Sequence, residues 1–159
     1  MKISLEETAR YMRMGTTLPE GELAVRIDEL VKEAPIKPKG IWARFDQRFF
    51  LCGTIGSEFD LWQRRLSLLS ATDALIAQAI GAAAVEQVMD DLEAEVKNSL
   101  SKEEKIKHRW SPGYPPHPLS MNVEIISLLD ATKKIGVSST DSMMLTPSKS
   151  VVAVCEVIL

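Results

Sequence analysis

The sequence has few of the side chains that bind metals or form disulfide bonds. Its 159 residues include two cysteines, Cys52 and Cys155, and two histidines, His108 and His117. There is no Cys-x-x-Cys motif and no Cys/His cluster, whereas a structural zinc site needs four such ligands. We therefore expect two buried, reduced thiols in a cytoplasmic protein and no metal ligated by the chain itself.

Clustered basic residues and long apolar runs are also missing. The formal net charge is −3 and there is no block of Lys and Arg, which argues against nucleic acid or an anionic membrane as partner. The longest apolar run, residues 79–85, is too short to span a bilayer. Because Glu6 and Glu7 interrupt the first segment, we expect no signal peptide.

The hydrophobic share of 45% is enough for one domain with a sizeable core. Periodicity and capping residues predict helices over residues 4–14, 19–34, 73–99 and 121–134, and a further helix that begins at residue 57. Strands are predicted over residues 41–45, 49–55, 66–71, 138–144 and 149–159. The charged residues after the apolar half of the long helix, Glu93 among them, are interpreted as a solvated face. The mixed order predicts an α+β fold in which residues 1–159 form one domain, an antiparallel sheet covered by helices.

One loop, residues 108–118, differs from an ordinary connection between two helices. Four of its eleven residues are proline and one is glycine, and it also carries Arg, Trp, Tyr and both histidines. Proline excludes helix and inner strand here and limits the entropy that the loop loses on ordering. An ordered, aromatic-rich loop between rigid elements is where a ligand site would be expected.

The residue types in this loop suit a small ligand that carries a carboxylate. Arg109 offers a planar fork of donors, and Tyr114 offers a ring face and a hydroxyl. Gly113 either takes a positive φ in a Pro-Gly turn or lets a ligand approach the main chain. Because such turns are common, the alternative is a rigid structural turn with Arg109 in solvent and Tyr114 packed.

The segment Arg109-x-Ser111-Pro112-Gly113-Tyr114-Pro115 resembles the S-adenosylmethionine-binding turn of the activation (reactivation) domain of vitamin B12-dependent methionine synthase. That family carries Arg-x-x-x-Gly-Tyr at this spacing. The resemblance continues through Ile135-Gly136-Val137, through Thr140-Asp141-Ser142, where the family has Thr-Glu-Ser, and through Pro147-Ser148-Lys149-Ser150-Val151. It is strong over residues 109–154, weak over 1–100, and best matched to short, free-standing relatives of the domain.

The resemblance implies a single twisted antiparallel sheet with flanking helices and a site for S-adenosylmethionine. By position, Arg109 would hold the ligand carboxylate, the backbone at Ser111 and Gly113 would bond the adenosine portion, and Tyr114 would line it. Glu86 falls near a further acidic contact of the family, and its alternative is an ordinary surface glutamate. No catalytic residue of the chain itself is implied.

The family context also implies a partner. There the domain binds S-adenosylmethionine beside a corrinoid, whose cobalt is reduced, usually by flavodoxin, and then remethylated. The expected partner is a corrinoid-bearing methionine synthase or related methyltransferase that carries the cobalamin. The acidic net charge of this chain argues against direct docking of flavodoxin, itself an acidic protein.

Three departures from the family pattern keep a second hypothesis open. The chain is shorter than the long form, and it has no recognisable counterparts of the segments that supply an aspartate and a further tyrosine contact. Lys149 stands where long synthases have a small residue. The first hypothesis is a free-standing activation module, not a self-sufficient enzyme. The alternative is a non-catalytic interaction protein for a corrinoid protein that no longer binds S-adenosylmethionine.

Overall fold

The computed structural model of the chain describes residues 1–12 and 19–159. The described helices are α1 (Leu5–Tyr11), α2 (Gly21–Glu33), α3 (Glu58–Leu69), α4 (Ala71–Ser99), α5 (Met121–Leu129) and α6 (Ala131–Ile135). The described strands are β1 (Lys39–Phe45), β2 (Arg48–Thr54), β3 (Lys105–Ile106), β4 (Ser138–Ser139), β5 (Leu145–Thr146) and β6 (Ser150–Ile158). The predicted end of the first helix, at residues 14–15, lies outside the described residues.

The main sheet is antiparallel and has the strand order β1-β2-β6-β3. Its register pairs Ile41 with Cys52 and Phe50 with Val154. The nearly apolar β6, which the sequence predicted as a strand, is an inner strand because β2 covers one edge and the short β3 covers the end of the other. β4 and β5 form a separate two-stranded ribbon.

Helices cover both faces of this sheet, so the chain has two apolar cores. Alternation along β2 sends Phe49 and Leu51 into the larger core, which α2, α3 and α4 also fill, and sends Phe50 and Cys52 into the smaller core against α5 and α6. The prediction of an α+β fold with an antiparallel sheet flanked by helices is confirmed. Among the described residues, no helix is both long enough and apolar enough to cross a membrane.

Helix α4 packs closely against the sheet because small residues stand at its contacts. A Cβ on Gly53 of β2 would lie 2.7 Å from the Val88 side chain, and one on Gly81 would lie 2.7 Å from Phe59. The glycine inside the Ala-rich part of α4 therefore allows tight packing against Phe59 of α3. α4 contacts β1, β2 and β6 and presents its second half to the loop 108–118.

Three predicted elements differ from the observed ones. The predicted strand 66–71 is wrong, since α3 continues to Leu69 and the hydroxyl of Ser70 caps α4 by accepting a hydrogen bond from the Asp73 amide at 3.2 Å. The predicted helix 121–134 is divided at Asp130, whose φ of 52° ends α5 before α6 begins. The predicted strand 138–144 is reduced to the two residues of β4.

Candidate functional site

The first part of the loop 108–118 is attached to the edge of β6. The Lys107 amide donates to the Glu156 carbonyl at 2.9 Å. Trp110 then exchanges two backbone hydrogen bonds with Val154, at 3.0 and 2.8 Å. The loop therefore begins as a continuation of the β3–β6 pairing.

Proline ends this pairing and opens the edge of the strand. If the antiparallel ladder continued past the Trp110–Val154 pair, Val152 would pair with residue 112. Pro112, however, has no N–H to donate. Val154 directs its N–H and C=O toward the loop, and the two-residue period directs those of Val152 the same way. Because the chain turns away at Pro112, the edge of β6 at Val152 lines a cleft.

The second part of the loop is a closed turn. Gly113 has a φ of +100° and its amide donates to the His117 carbonyl at 3.0 Å, while the His117 amide donates to the Tyr114 carbonyl at 2.9 Å. The imidazole ring of His117 stacks on the Trp110 ring, with centroids 3.5 Å apart and planes 11° apart. Internal bonds and ring stacking therefore order the turn. Of the two roles considered for Gly113, the positive φ is observed.

The cleft beside this turn has a volume of about 370 Å³. Its lining residues are Glu86, Ser111, Pro112, Tyr114, Leu119, Asn122, Met144, Leu145, Ser148, Ser150, Val151 and Val152. Three of the residues predicted for the ligand site thus meet at one cavity, because the loop supplies Ser111 and Tyr114 and α4 supplies Glu86. Gly113 shapes the turn, and Arg109 lies behind Glu86.

Arg109 is surrounded by three carboxylates of α4. Its guanidinium forms ion pairs with Glu86, with Asp90 at 2.8 Å and with Glu93 at 3.1 Å. These acids stand at i, i+4 and i+7, so they form one stripe along the helix. Burial lowers the pKa of the Arg109 guanidinium, but hydrogen bonding to Asp90 and the charges of all three carboxylates outweigh it, so the pKa is raised.

The exposure of Arg109 and Tyr114 differs from what the structural-turn alternative predicted. The structural-turn alternative predicted Arg109 in solvent and Tyr114 packed. The structure has the reverse, because the Arg109 side chain is 8% exposed and Tyr114 is 73% exposed. An exposed tyrosine ring beside a cleft is available to a ligand or a partner.

The prediction that Glu93 belongs to a solvated face of α4 is wrong. Glu93 is 8% exposed, and one carboxylate oxygen accepts from the Arg109 amide at 3.3 Å while the other accepts from the guanidinium at 3.1 Å. His108 Nδ1 lies 3.8 Å from the same carboxylate. The i, i+4, i+7 spacing places the three acids on one stripe of α4, but the spacing alone does not show that a cation covers this stripe.

Lys149 and the cysteines serve packing. The Lys149 side chain is half-buried over Gly81 of α4, and burial lowers the pKa of its ammonium group. Cys52 and Cys155 are both buried free thiols, as predicted, and burial raises their pKa to about 12 and about 11. Across residues 1–12 and 19–159, no group of three or more acidic, histidine or cysteine side chains is arranged to hold a metal.

A larger cleft, of about 550 Å³, lies between the N-terminus, the start of β1 and α4. Lys2, Lys39, Asp91 and Glu95 contribute its charges, and none of the predicted site residues reaches it. Size alone would favour this cleft. The ordered loop, the buried arginine and the exposed tyrosine instead make the smaller cleft the candidate site.

Comparison with known proteins places the chain in a family. A family model described as "Vitamin B12 dependent methionine synthase, activation domain" matches residues 70–156. Among solved structures, the crystal structure of the MetH reactivation domain bound to AdoHcy resembles the chain with a TM-score of 0.66 and 14% identity, over 98% of this chain and 77% of that one. At this identity the likeness concerns the fold. A search of curated proteins finds no significant match. Because the family model covers more than half of its residues, the chain belongs to the family of activation domains of vitamin B12-dependent methionine synthase.

Proposed function

We propose that this chain is an activation module that binds S-adenosylmethionine and supports reductive remethylation of a cobalamin-dependent methionine synthase or a related corrinoid methyltransferase. The observation that carries the proposal is the meeting of Glu86, Ser111 and Tyr114 at one cleft, with Arg109 directly behind. The reactivation domain of similar fold is bound to AdoHcy, which is S-adenosylmethionine without its methyl group.

The cleft has the chemical groups that an adenosyl amino acid needs. Tyr114 presents an exposed ring for stacking on adenine. Ser111 and Val152 line the cleft, and their backbone would offer hydrogen bonds to the adenosine portion. Gly113, whose amide already donates to His117, would contribute its carbonyl. The carboxylate of Glu86 faces the cleft, where it would pair with the ligand ammonium group, and Arg109 would hold the ligand carboxylate.

The chain's own contribution is binding and positioning. The cobalamin would be carried by the partner and would supply the methyl-accepting chemistry. Tyr114 and Met144, both largely exposed, form an apolar rim at the mouth of the cleft, where a partner could cover the ligand and exclude water. The net charge of this chain is −3, and like charges oppose docking of an acidic flavodoxin-type donor. The donor would therefore dock onto the partner, and the complex would act in the cytoplasm.

Calorimetric titration of S-adenosylmethionine into the protein, with and without a cobalamin-loaded methionine synthase fragment, tests the proposal. We expect saturable binding to the wild-type protein and loss of binding in Arg109→Ala. The second variant, Arg109→Lys, keeps a cation among the three carboxylates. Arg44→Ala is the matched control, since Arg44 pairs with Glu104 away from the cleft. Thermal unfolding of each variant separates lost binding from lost fold.

The interaction-protein alternative has one observation in its favour. Three carboxylates already occupy the Arg109 guanidinium, so the arginine would have a structural role even if no ligand ever bound. This alternative predicts capture of a corrinoid protein by the chain with no calorimetric signal for S-adenosylmethionine. Binding only in the presence of the partner would instead mean that the partner completes the site.

A further inference from the structure

Asn122, in the first turn of α5, is a buried polar residue in the wall of the candidate cleft. It is 5% exposed, and it lines the cleft together with the apolar residues Leu119, Met144 and Leu145. Burying an amide among apolar neighbours is costly unless its polar atoms find hydrogen-bond partners. The partners of this side chain therefore indicate what the cleft can bind.

One hydrogen bond fixes the orientation of the Asn122 amide. Its Nδ2 donates to the backbone carbonyl of Met143 at 3.1 Å. Because a carbonyl oxygen can only accept, the NH2 end of the amide must face Met143, and the amide cannot turn over without losing this bond. Met143 is itself held in a turn, since its amide donates to the Thr140 carbonyl at 2.9 Å. Asn122 is thus presented to the cleft in a single orientation.

Two hydrogen-bonding groups of this amide remain free. A primary amide has two N–H groups and one oxygen acceptor, and the bond to Met143 uses one N–H. Within residues 1–12 and 19–159, no protein donor is bonded to the Asn122 Oδ1, and the enclosed side-chain atom without a partner is Nε1 of Trp62. The Asn122 oxygen is therefore not enclosed by protein, and it can accept a hydrogen bond from the contents of the cleft.

We propose, resting on the proposed function, that Asn122 determines specificity for adenine by pairing with the edge of the base. Its Oδ1 accepts from the 6-amino group, and its free N–H donates to the neighbouring ring nitrogen. Asn and Gln recognise adenine in nucleic acids by the same pair of bonds. Stacking of the base on Tyr114 occupies a face of the ring and leaves the edge available to the wall of the cleft.

The fixed orientation of the amide is what makes the contact selective. A 6-oxo purine presents an oxygen acceptor where adenine presents its amino group. That oxygen would face the Asn122 Oδ1, so two acceptors would meet in a largely buried place, which is costly. An amide that was free to turn over could offer its NH2 group instead, but the bond to Met143 opposes this. The cleft should therefore select adenosyl over inosyl ligands.

The measurement is calorimetric titration of the complete chain with S-adenosylhomocysteine and with S-inosylhomocysteine, in which an oxygen replaces the 6-amino group. The two ligands share their ribose and amino acid portions, so they differ only at the edge of the base. For the wild-type protein we expect the adenine ligand to bind roughly 10- to 100-fold more tightly, the range for one bidentate contact with a base. In Asn122→Leu, which has a similar volume and no polar side-chain atom, the ratio should fall to about threefold or less. Asn122→Ala should lower it in the same way, and thermal unfolding checks that each variant is folded.

Ser150→Ala is the matched control. Ser150 is also a buried polar residue of the cleft wall, but its hydroxyl already donates to Thr54 Oγ1 at 2.8 Å, so this variant should keep the wild-type ratio. If Asn122 only held the turn at Met143, its replacement would weaken both ligands equally. An unchanged ratio in the Asn122 variants, or a ratio near one in the wild type, would overturn the inference and leave the proposed function intact. If the wild type bound neither ligand, alone or with the cobalamin-loaded partner, the proposed function itself would fail and this inference with it.

Discussion

The carboxylate of Glu93 accepts hydrogen bonds from both the backbone amide and the guanidinium of Arg109, at 3.3 and 3.1 Å. One buried side chain on the long helix therefore fixes the start of the loop and the direction of its arginine. Asp90 and Glu86 complete the surroundings of the guanidinium. This arrangement ties the geometry of the candidate site to the packing of α4 on the sheet.

Replacing Glu93 with leucine should lower both stability and ligand affinity. The Arg109 amide and guanidinium would each lose an acceptor, and we expect the free energy of unfolding to fall by about 2 kcal/mol. Urea unfolding measures this change, and calorimetry with S-adenosylmethionine measures the affinity. Glu103→Leu, at an exposed position, is the control and should change neither. Equal stabilities for the two variants would contradict the structural role of Glu93.

The elements that the sequence predicted well are those in which local pattern and tertiary burial agree. The apolar run of β6 and the aromatic and apolar residues of β1 and β2 fit one arrangement, in which β6 is an inner strand beside the β1–β2 hairpin. The segment 66–71 was mistaken for a strand because apolar residues and serine fit both states. Leu68 is 81% exposed, so the apolar run is not a buried one, and Ser70 caps a helix.

The candidate site could be predicted in part for a similar reason. The proline, glycine and aromatic residues distinguished this loop from an ordinary connection, and the observed positive φ of Gly113 was one of the two roles considered for it. The burial of Glu93 could not be predicted, because its partner Arg109 lies 16 residues farther along the chain and reaches it only after β3 pairs with β6. Contacts that depend on such a long-range pairing leave little signal in periodicity.

Gly113→Ala should disturb the loop specifically. The φ of +100° strains any L-residue, and the new Cβ would lie 3.1 Å from the Leu119 side chain, which lines the cleft. We expect a loss of stability of about 1–2 kcal/mol and weaker ligand binding. Gly136→Ala is the matched control, since its φ is +75° with no atom within 4 Å of the added Cβ. It should lose stability by strain alone and keep ligand affinity.

The pair Arg44–Glu104 should contribute to the acid sensitivity of the fold. Hydrogen bonding to the Arg44 guanidinium, helped by the Ser101 amide, lowers the pKa of the Glu104 carboxyl to about 2 from its ordinary 4.5. Because the folded pKa is the lower one, this stabilisation is present above about pH 4.5 and is lost as the pH falls toward 2. Thermal unfolding between pH 7 and 2 should therefore show a smaller acid loss in Glu104→Gln. An unchanged pH dependence would contradict the pairing.

Tyr114 offers the sharpest separation of ligand binding from folding. Its side chain is exposed and lies at the mouth of the cleft, so Tyr114→Ala should leave the unfolding temperature nearly unchanged. If its ring stacks on adenine, calorimetry should show S-adenosylmethionine binding weakened by roughly tenfold in this variant. Tyr114→Phe keeps the ring and should bind within about twofold of wild type.

Met144→Ala is the control for simple loss of apolar contact, because Met144 is another exposed residue of the same rim. Unchanged affinity in Tyr114→Ala would remove Tyr114 from the site and favour a role in partner docking, which the same variant would then reveal as weaker capture of the corrinoid protein.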